Sequence, residues 1–140
     1  MIVPDGIPLY GDPKWRGKCP LEAVEQASWF NRMRSRYPDT YGAVATHIRN
    51  EGLKTAGQFS SVIKHSAEGL VVGASDIILP ARVPLVIEMK RRDASKSVLS
   101  DDQVKYLLAA QSLGAWVCVA LGAVAAWEAF EQWRIDNAMP

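Results

Sequence analysis

Apolar positions recur with two different periods along this chain, and each change of period marks an element. From Pro20 to Tyr37, "PLEAVEQASWFNRMRSRY" spaces its apolar residues helically, with Pro20 in the first turn and no breaker before Pro38, so a helix is predicted there. Residues 41–50, "YGAVATHIRN", read as a strand with a polar end, and "AGQFSSVIKHSAEG" further on is mixed and weakly helical. "SDIILP" and "PLVIEMKR" are short β-type runs on either side of "PARVP", whose prolines favour a turn. "SDDQVKYLLAAQSLG" places Val104, Leu107, Leu108 and Gln111 at helical spacing and stops at Gly114. "AWVCVAL" is a buried-strand pattern, and "AVAAWEAFEQWRIDNAM" closes as a helix with Trp127, Phe130 and Trp133 near one side. The order predicts an α/β fold with a mixed central sheet flanked by helices. Residues 1–19, with three prolines and three glycines, read as an irregular arm before a single domain spanning 20–140.

Composition narrows the class. At 140 residues the chain fits one compact domain with its own core. Hydrophobic residues make up 49% and charged residues 22%, as in an ordinary globular protein. No stretch has the apolar length of a membrane span, and the N-terminal residues lack a basic segment leading into an apolar run; a cytoplasmic protein is expected. Cys19 and Cys118 are too far apart for a zinc or redox motif and are expected to be free thiols. The net charge of +1 argues against strong nonspecific DNA binding but allows a local basic groove.

The chemistry gathers around the two central strands. Side chains alternate in a strand, so Asp76 shares a face with Ile78, and Glu88 shares one with Lys90 while Leu85, Ile87 and Met89 point the other way. Paired as a hairpin, the strands bring Asp76, Glu88 and Lys90 to one edge. Two carboxylates held together are the oxygen donors that Mg²⁺ takes, and an ammonium beside them stabilises charge developing on a phosphate. The alternative is a solvated strand face with Asp76 at a turn. Glu88 follows "LVI" in a run that looks buried, and a buried carboxylate needs a partner or a metal.

"GASDIILP", "PLVIEMKR", "LSDDQ" and "LGAWVCVALG", in that order, resemble the VRR-NUC branch of the PD-(D/E)XK nuclease superfamily, as do "PLEAVEQASWF" and "THIRNEG" upstream. The resemblance runs from about Leu21 to the last helix. It implies a restriction-endonuclease-like core and an Mg²⁺-dependent deoxyribonuclease (Mn²⁺ substituting), with Asp76 and Glu88 as metal carboxylates, Lys90 as catalytic lysine and Gln103 as the helix glutamine. Gln103 is also placed to close a capping box with Ser100. The family's opening helix carries a metal-facing glutamate, for which Glu25, directly before Gln26, fits better than Glu22; either one also suits a first turn by opposing the helix dipole. Ser75 stands where the family often has proline. The resemblance further implies branched DNA, such as a Holliday junction or flap, as substrate, a homodimer, and a stand-alone protein of phage type.

His47 and Asn50, with Glu51, are candidates for a DNA-facing edge. Arg91 and Arg92 open a polar segment, "RRDASKSVLSDD", expected to be a mobile loop whose cations hold phosphates. Arg32, Arg34 and Arg36 do not form one stripe on the first helix. The apolar C-terminal region is a candidate dimer interface. Competing readings are a noncatalytic nucleic-acid-binding domain that retains the nuclease fold, and a structural domain with a solvated charged strand.

Overall fold

The protein is described by a computed structural model covering residues 1–48 and 67–140. Its elements are β1 (Leu9–Tyr10), α1 (Glu22–Arg36), α2 (Tyr41–Val44), β2 (Ile77–Leu79), β3 (Leu85–Lys90), α3 (Asp101–Ser112), β4 (Trp116–Leu121) and α4 (Ala123–Asp136). The four strands form one mixed sheet in the order β1-β4-β3-β2. β2 and β3 are the predicted antiparallel hairpin, with Ile77 opposite Ile87 and Leu79 opposite Leu85. β3 and β4 run parallel, Glu88 opposite Val119 and Lys90 opposite Leu121. A parallel pair needs a crossover, and α3 supplies it.

Alternation in β3 feeds two cores. Leu85, Ile87 and Met89 pack with Trp29, Phe30 and Met33 of α1 and with Phe130 and Trp133 of α4. Val86, on the opposite face, packs with Val117, Val119 and Leu107 under α3. All six β3 residues are buried, so Glu88 and Lys90 lie between sheet and helix and not on a wet face. Burying each large apolar side chain contributes about 1.5–3 kcal/mol, and that holds two charged groups at the strand's end. The aromatic side of α4 lies in this core.

Several expectations change. Over its described part, 41–48, the strand predicted for 41–50 is instead the short helix α2 followed by a bridge, in which Thr46 exchanges two main-chain hydrogen bonds of 2.9 Å with Ile78. Packing overrides the β-like pattern here: Tyr41 meets Phe130 and Trp133 edge-on. Gly42 lies so close to the Met33 and Tyr37 carbonyls that a Cβ would come within 2.7 Å of each. Asn50 and Glu51 lie outside the described residues. Pro20 precedes Leu21, the N-cap of α1, and does not enter the first turn. The N-terminal arm is irregular except that Leu9 and Tyr10 pair with Val119 and Ala120 as an edge strand. Among the described residues no helix is long and apolar enough to cross a membrane, and both cysteines are free.

Gly73 sets the distance between the Asp76 segment and α3. Its φ is +83°, and a Cβ there would lie 2.5 Å from the Asp102 carbonyl carbon and oxygen. Both the left-handed backbone, costing about 1–2 kcal/mol for a non-glycine residue, and the backbone clash oppose substitution. Gly73→Ala is expected to lower stability in urea unfolding by roughly 2 kcal/mol or more, whereas Gly114→Ala, where a Cβ meets nothing within 4 Å, should cost only its backbone strain.

Candidate functional site

The site forms where the carboxyl end of β3 meets the start of β2, the start of α3 and the first turn of α1. Glu88 is 1% and Lys90 4% exposed. Lys90 Nζ sits 3.3 Å from Glu88 Oε1 and donates to Gln103 Oε1 at 3.0 Å. Gln103 Nε2 donates to Glu88 Oε1 at 2.8 Å. Asp76 Oδ2 accepts the Met89 N–H at 2.9 Å, which fixes the β2 carboxylate against the β3 backbone between Glu88 and Lys90.

Gln103 closes the capping box foreseen for it and also touches both charged residues of β3. Its Oε1 accepts the Ser100 N–H at 2.9 Å and its own N–H donates to Ser100 Oγ, which closes the capping box of α3. The same amide bridges Glu88 and Lys90. Helix initiation and orientation of the buried ion pair therefore share one side chain.

Glu88 Oε2 is buried without a hydrogen-bond donor among the described residues, and Asp76 is its acidic neighbour. Burial first, and the Asp76 charge second, push the Glu88 carboxyl up to about 9 against the pull of Lys90. Burial also raises Asp76, opposed by the Met89 N–H, by a carboxyl–carboxyl hydrogen bond with Glu88 and by Lys90. The pair resists double ionisation: it needs a shared proton or a cation. Hard oxygens around an orphaned buried oxygen suit a divalent ion such as Mg²⁺, which retains several waters. Among the described residues no three His, Cys, Asp or Glu side chains are gathered closely enough to hold a metal by themselves. Two carboxylates with water and substrate oxygens remain the fitting donor set.

A cavity of about 380 Å³ opens over this pair, lined by Glu22, Gln26, Asp76, Glu88, Arg91 and Gln103 among others. The structure places Glu22 there and takes Glu25 elsewhere. Glu25 Oε2 accepts the Ala123 N–H at the N-terminus of α4, where its charge satisfies the helix end. One helix turn separates the two acids, so the tilt of α1 decides which carboxylate faces the sheet edge. Glu22 Oε1 accepts from Ser97 Oγ at 3.0 Å, and Ser97 Oγ accepts the Arg91 N–H at 3.1 Å. Ser97 escapes sequence reasoning because its partner lies 75 positions away and no local pattern marks it.

The segment after β3, expected to be a mobile loop, is bound to the N-terminal arm. Arg91 donates to the Cys19 and Pro20 carbonyls, Arg92 lies 4.1 Å over the Trp15 ring, and Lys96 reaches the Gly17 carbonyl. Asp93 accepts from the Gly17 N–H and from Ser95, and the Ser95 and Gly17 hydrogen bonds hold its carboxyl down at about 2. Arg91 still lines the cavity, while Arg92 lines a separate hollow beside Glu25. His47 Nδ1 is 2.8 Å from the Asp76 carbonyl oxygen, beside the site but outside the cavity over the two carboxylates. Ser75, in the place where proline was noted, is fully buried.

A solved structure of a "VRR_NUC domain protein" superposes on this chain with a TM-score of 0.68 at 17% identity, covering 84% of this chain and 91% of that chain. No family model and no curated protein matches the sequence. The chain shares the fold of that VRR_NUC domain protein, seen among the described residues as a four-stranded mixed sheet flanked by helices.

Two outcomes follow from the site's electrostatics. Glu88 has an ordinary value of 4.5 and a folded one of about 9, so the folded state holds the extra proton between these values. Stability of the metal-free protein should therefore fall as pH rises from about 5 to 9, and Glu88→Gln should flatten that slope in thermal melts. Glu25→Ala should lose about 1–2 kcal/mol of stability through the uncapped α4 terminus, whereas Glu22→Gln should leave stability within about 0.5 kcal/mol.

Proposed function

We propose that the protein is a metal-dependent deoxyribonuclease that hydrolyses phosphodiester bonds. The observation that carries this reading is the convergence of Asp76, Lys90 and Gln103 on the buried Glu88 carboxylate, whose Oε1 takes the Lys90 and Gln103 contacts and whose Oε2 is left without a donor, within a fold shared with a VRR_NUC domain protein. Asp76 and Glu88 would hold Mg²⁺, or Mn²⁺ in its place, with water and substrate oxygens completing its shell, and Glu22 rather than Glu25 would face them from the cavity wall. When bound, the ion supplies Lewis-acid stabilisation of phosphate oxygens and acidifies a bound water. Lys90, held by Glu88 and Gln103, presents its ammonium to charge developing on the phosphate. Gln103 keeps that lysine from folding onto the metal-facing oxygen of Glu88. Arg91, anchored by the arm's carbonyls, closes one wall of the cavity with positive charge.

The substrate class we infer is branched DNA, such as a four-way junction or flap. Among the described residues the long helices α1, α3 and α4 pack on the sheet, which favours recognition by shape over base reading in a major groove. Symmetric cutting of a junction would call for a twofold dimer. The protein would act in the cytoplasm of a cell or, if phage-encoded, of its host.

The test is a cleavage panel of duplex, single strand, flap and four-way junction in Mg²⁺ and in Mn²⁺. Asp76→Asn and Glu88→Gln are expected to abolish cutting, and Lys90→Ala to slow it about 10²–10³-fold, with circular dichroism unchanged. Cleavage by Glu88→Gln at the wild-type rate would end the nuclease reading. Mg²⁺ should raise the melting temperature more at pH 9 than at pH 6, because it competes with the proton held by the carboxyl pair. Binding of branched DNA with no cutting under any metal would favour the noncatalytic reading.

A further inference from the structure

The cavity over the carboxylates does not end at the first turn of α1. A second cavity of about 370 Å³, lined by Asn31, Arg34 and His47 among others, shares Ala23 and Gln26 with the first. The two make one trough along α1. Its floor follows from helical spacing: Glu22, Gln26, Phe30 and Arg34 recur every fourth residue, and Ala23, Ala27 and Asn31 lie beside them. Phe30 closes the bottom into the core, and the Arg34 guanidinium lies 5.3 Å over its ring, which holds the cation along the trough. The three alternating arginines of α1 are separated by this geometry. Arg32 stacks 4.0 Å over Trp127 and Arg34 alone of the three lines the trough. His47, on the opposite wall, is tied by its Nδ1 to the Asp76 carbonyl oxygen, which links that wall to the backbone of the carboxylate residue.

We propose that this trough is a binding path for one strand of nucleic acid leaving the carboxylate site, with Arg34 gripping a phosphate at its far end. The proposal rests on the nuclease reading for its near end. Its occupant is argued from continuity with that site, from polar amides along the walls (Gln26 and Asn31), and from a cation at the end away from the carboxylates. The span is set by the helix. Twelve residues separate Glu22 from Arg34, about 18 Å at 1.5 Å per residue. That distance covers about five phosphates of a stacked strand at 3.4 Å each. Contacts of this kind fix the register of the strand without reading its sequence.

The experiment measures binding of fluorescein-labelled oligodeoxynucleotides of 3 and 12 nucleotides by anisotropy, with EDTA present so that nothing is cut, between 50 and 200 mM salt. The wild-type protein should bind the 12-mer more tightly. Arg34→Gln should weaken 12-mer binding several-fold and leave the 3-mer unchanged. Loss of one phosphate contact lowers the salt slope by about 0.7 for a single strand, so the affinity lost across this salt range should be roughly threefold smaller in Arg34→Gln. Arg34→Lys should restore the slope, because it restores the charge, and Arg32→Gln should leave the slope at the wild-type value. A 12-mer bound by Arg34→Gln with wild-type affinity and slope overturns the trough while leaving the nuclease reading to its cleavage test. Absence of any binding by the wild type overturns the trough, and cleavage of the same DNA in Mg²⁺ then shows whether the nuclease reading survives it.

Discussion

The structure depends on two carboxyl groups brought together where neither is well solvated. Asp76 arrives from β2 and Glu88 from β3, and the hairpin register that buries Ile77 against Ile87 also puts these acids side by side. Lys90 offsets only part of the charge, since it shares Glu88 Oε1 with Gln103 and leaves Oε2 unanswered. A fold optimised only for stability would replace such a pair with apolar residues of similar volume, which is often neutral or better. Its presence inside a well-packed sheet is what the proposed metal site rests on.

The surrounding elements can be understood as supports for that pair. Gly73 lets the Asp76 segment approach the start of α3, which brings Gln103 within reach of both Glu88 and Lys90. Ser97 links Glu22 on α1 to the backbone just beyond β3. The N-terminal arm is bound through main-chain carbonyls to Arg91 and through Trp15 to Arg92. Residues far apart in sequence thus fix the positions of side chains around one cavity, as preorganised charge stabilisation requires. The trough along α1 extends the same logic, because the helix that delivers Glu22 also carries Arg34.

Much of the fold was legible because its elements are strongly periodic. The opening helix, the β2–β3 hairpin around "PARVP", α3 with its capping box, β4 and α4 all occur where the patterns put them. The misreading at 41–50 arose where local β-like composition gave way to aromatic packing of Tyr41 and the close approach of Gly42. The segment after Lys90 looked mobile because charge and small residues suggest solvent. Its anchors are arm carbonyls and a ring more than 70 positions away, which no local pattern encodes.

The division between sequence and tertiary structure is clearest in the acids. Alternation by itself placed Glu88 and Lys90 on one strand face and set Asp76 opposite its core-facing neighbours, because a strand's period is a property of the backbone. That determined which residues could meet. It did not determine how deeply they would be buried, and burial is what leaves the Glu88 oxygen without a donor and the pair in need of a shared proton or a cation. Nor could it choose between Glu22 and Glu25, which sit within a turn of each other on the same helix. The packing of α1 against α4 and the sheet made that choice, by turning Glu25 onto the N-terminus of α4 and leaving Glu22 over the carboxylates.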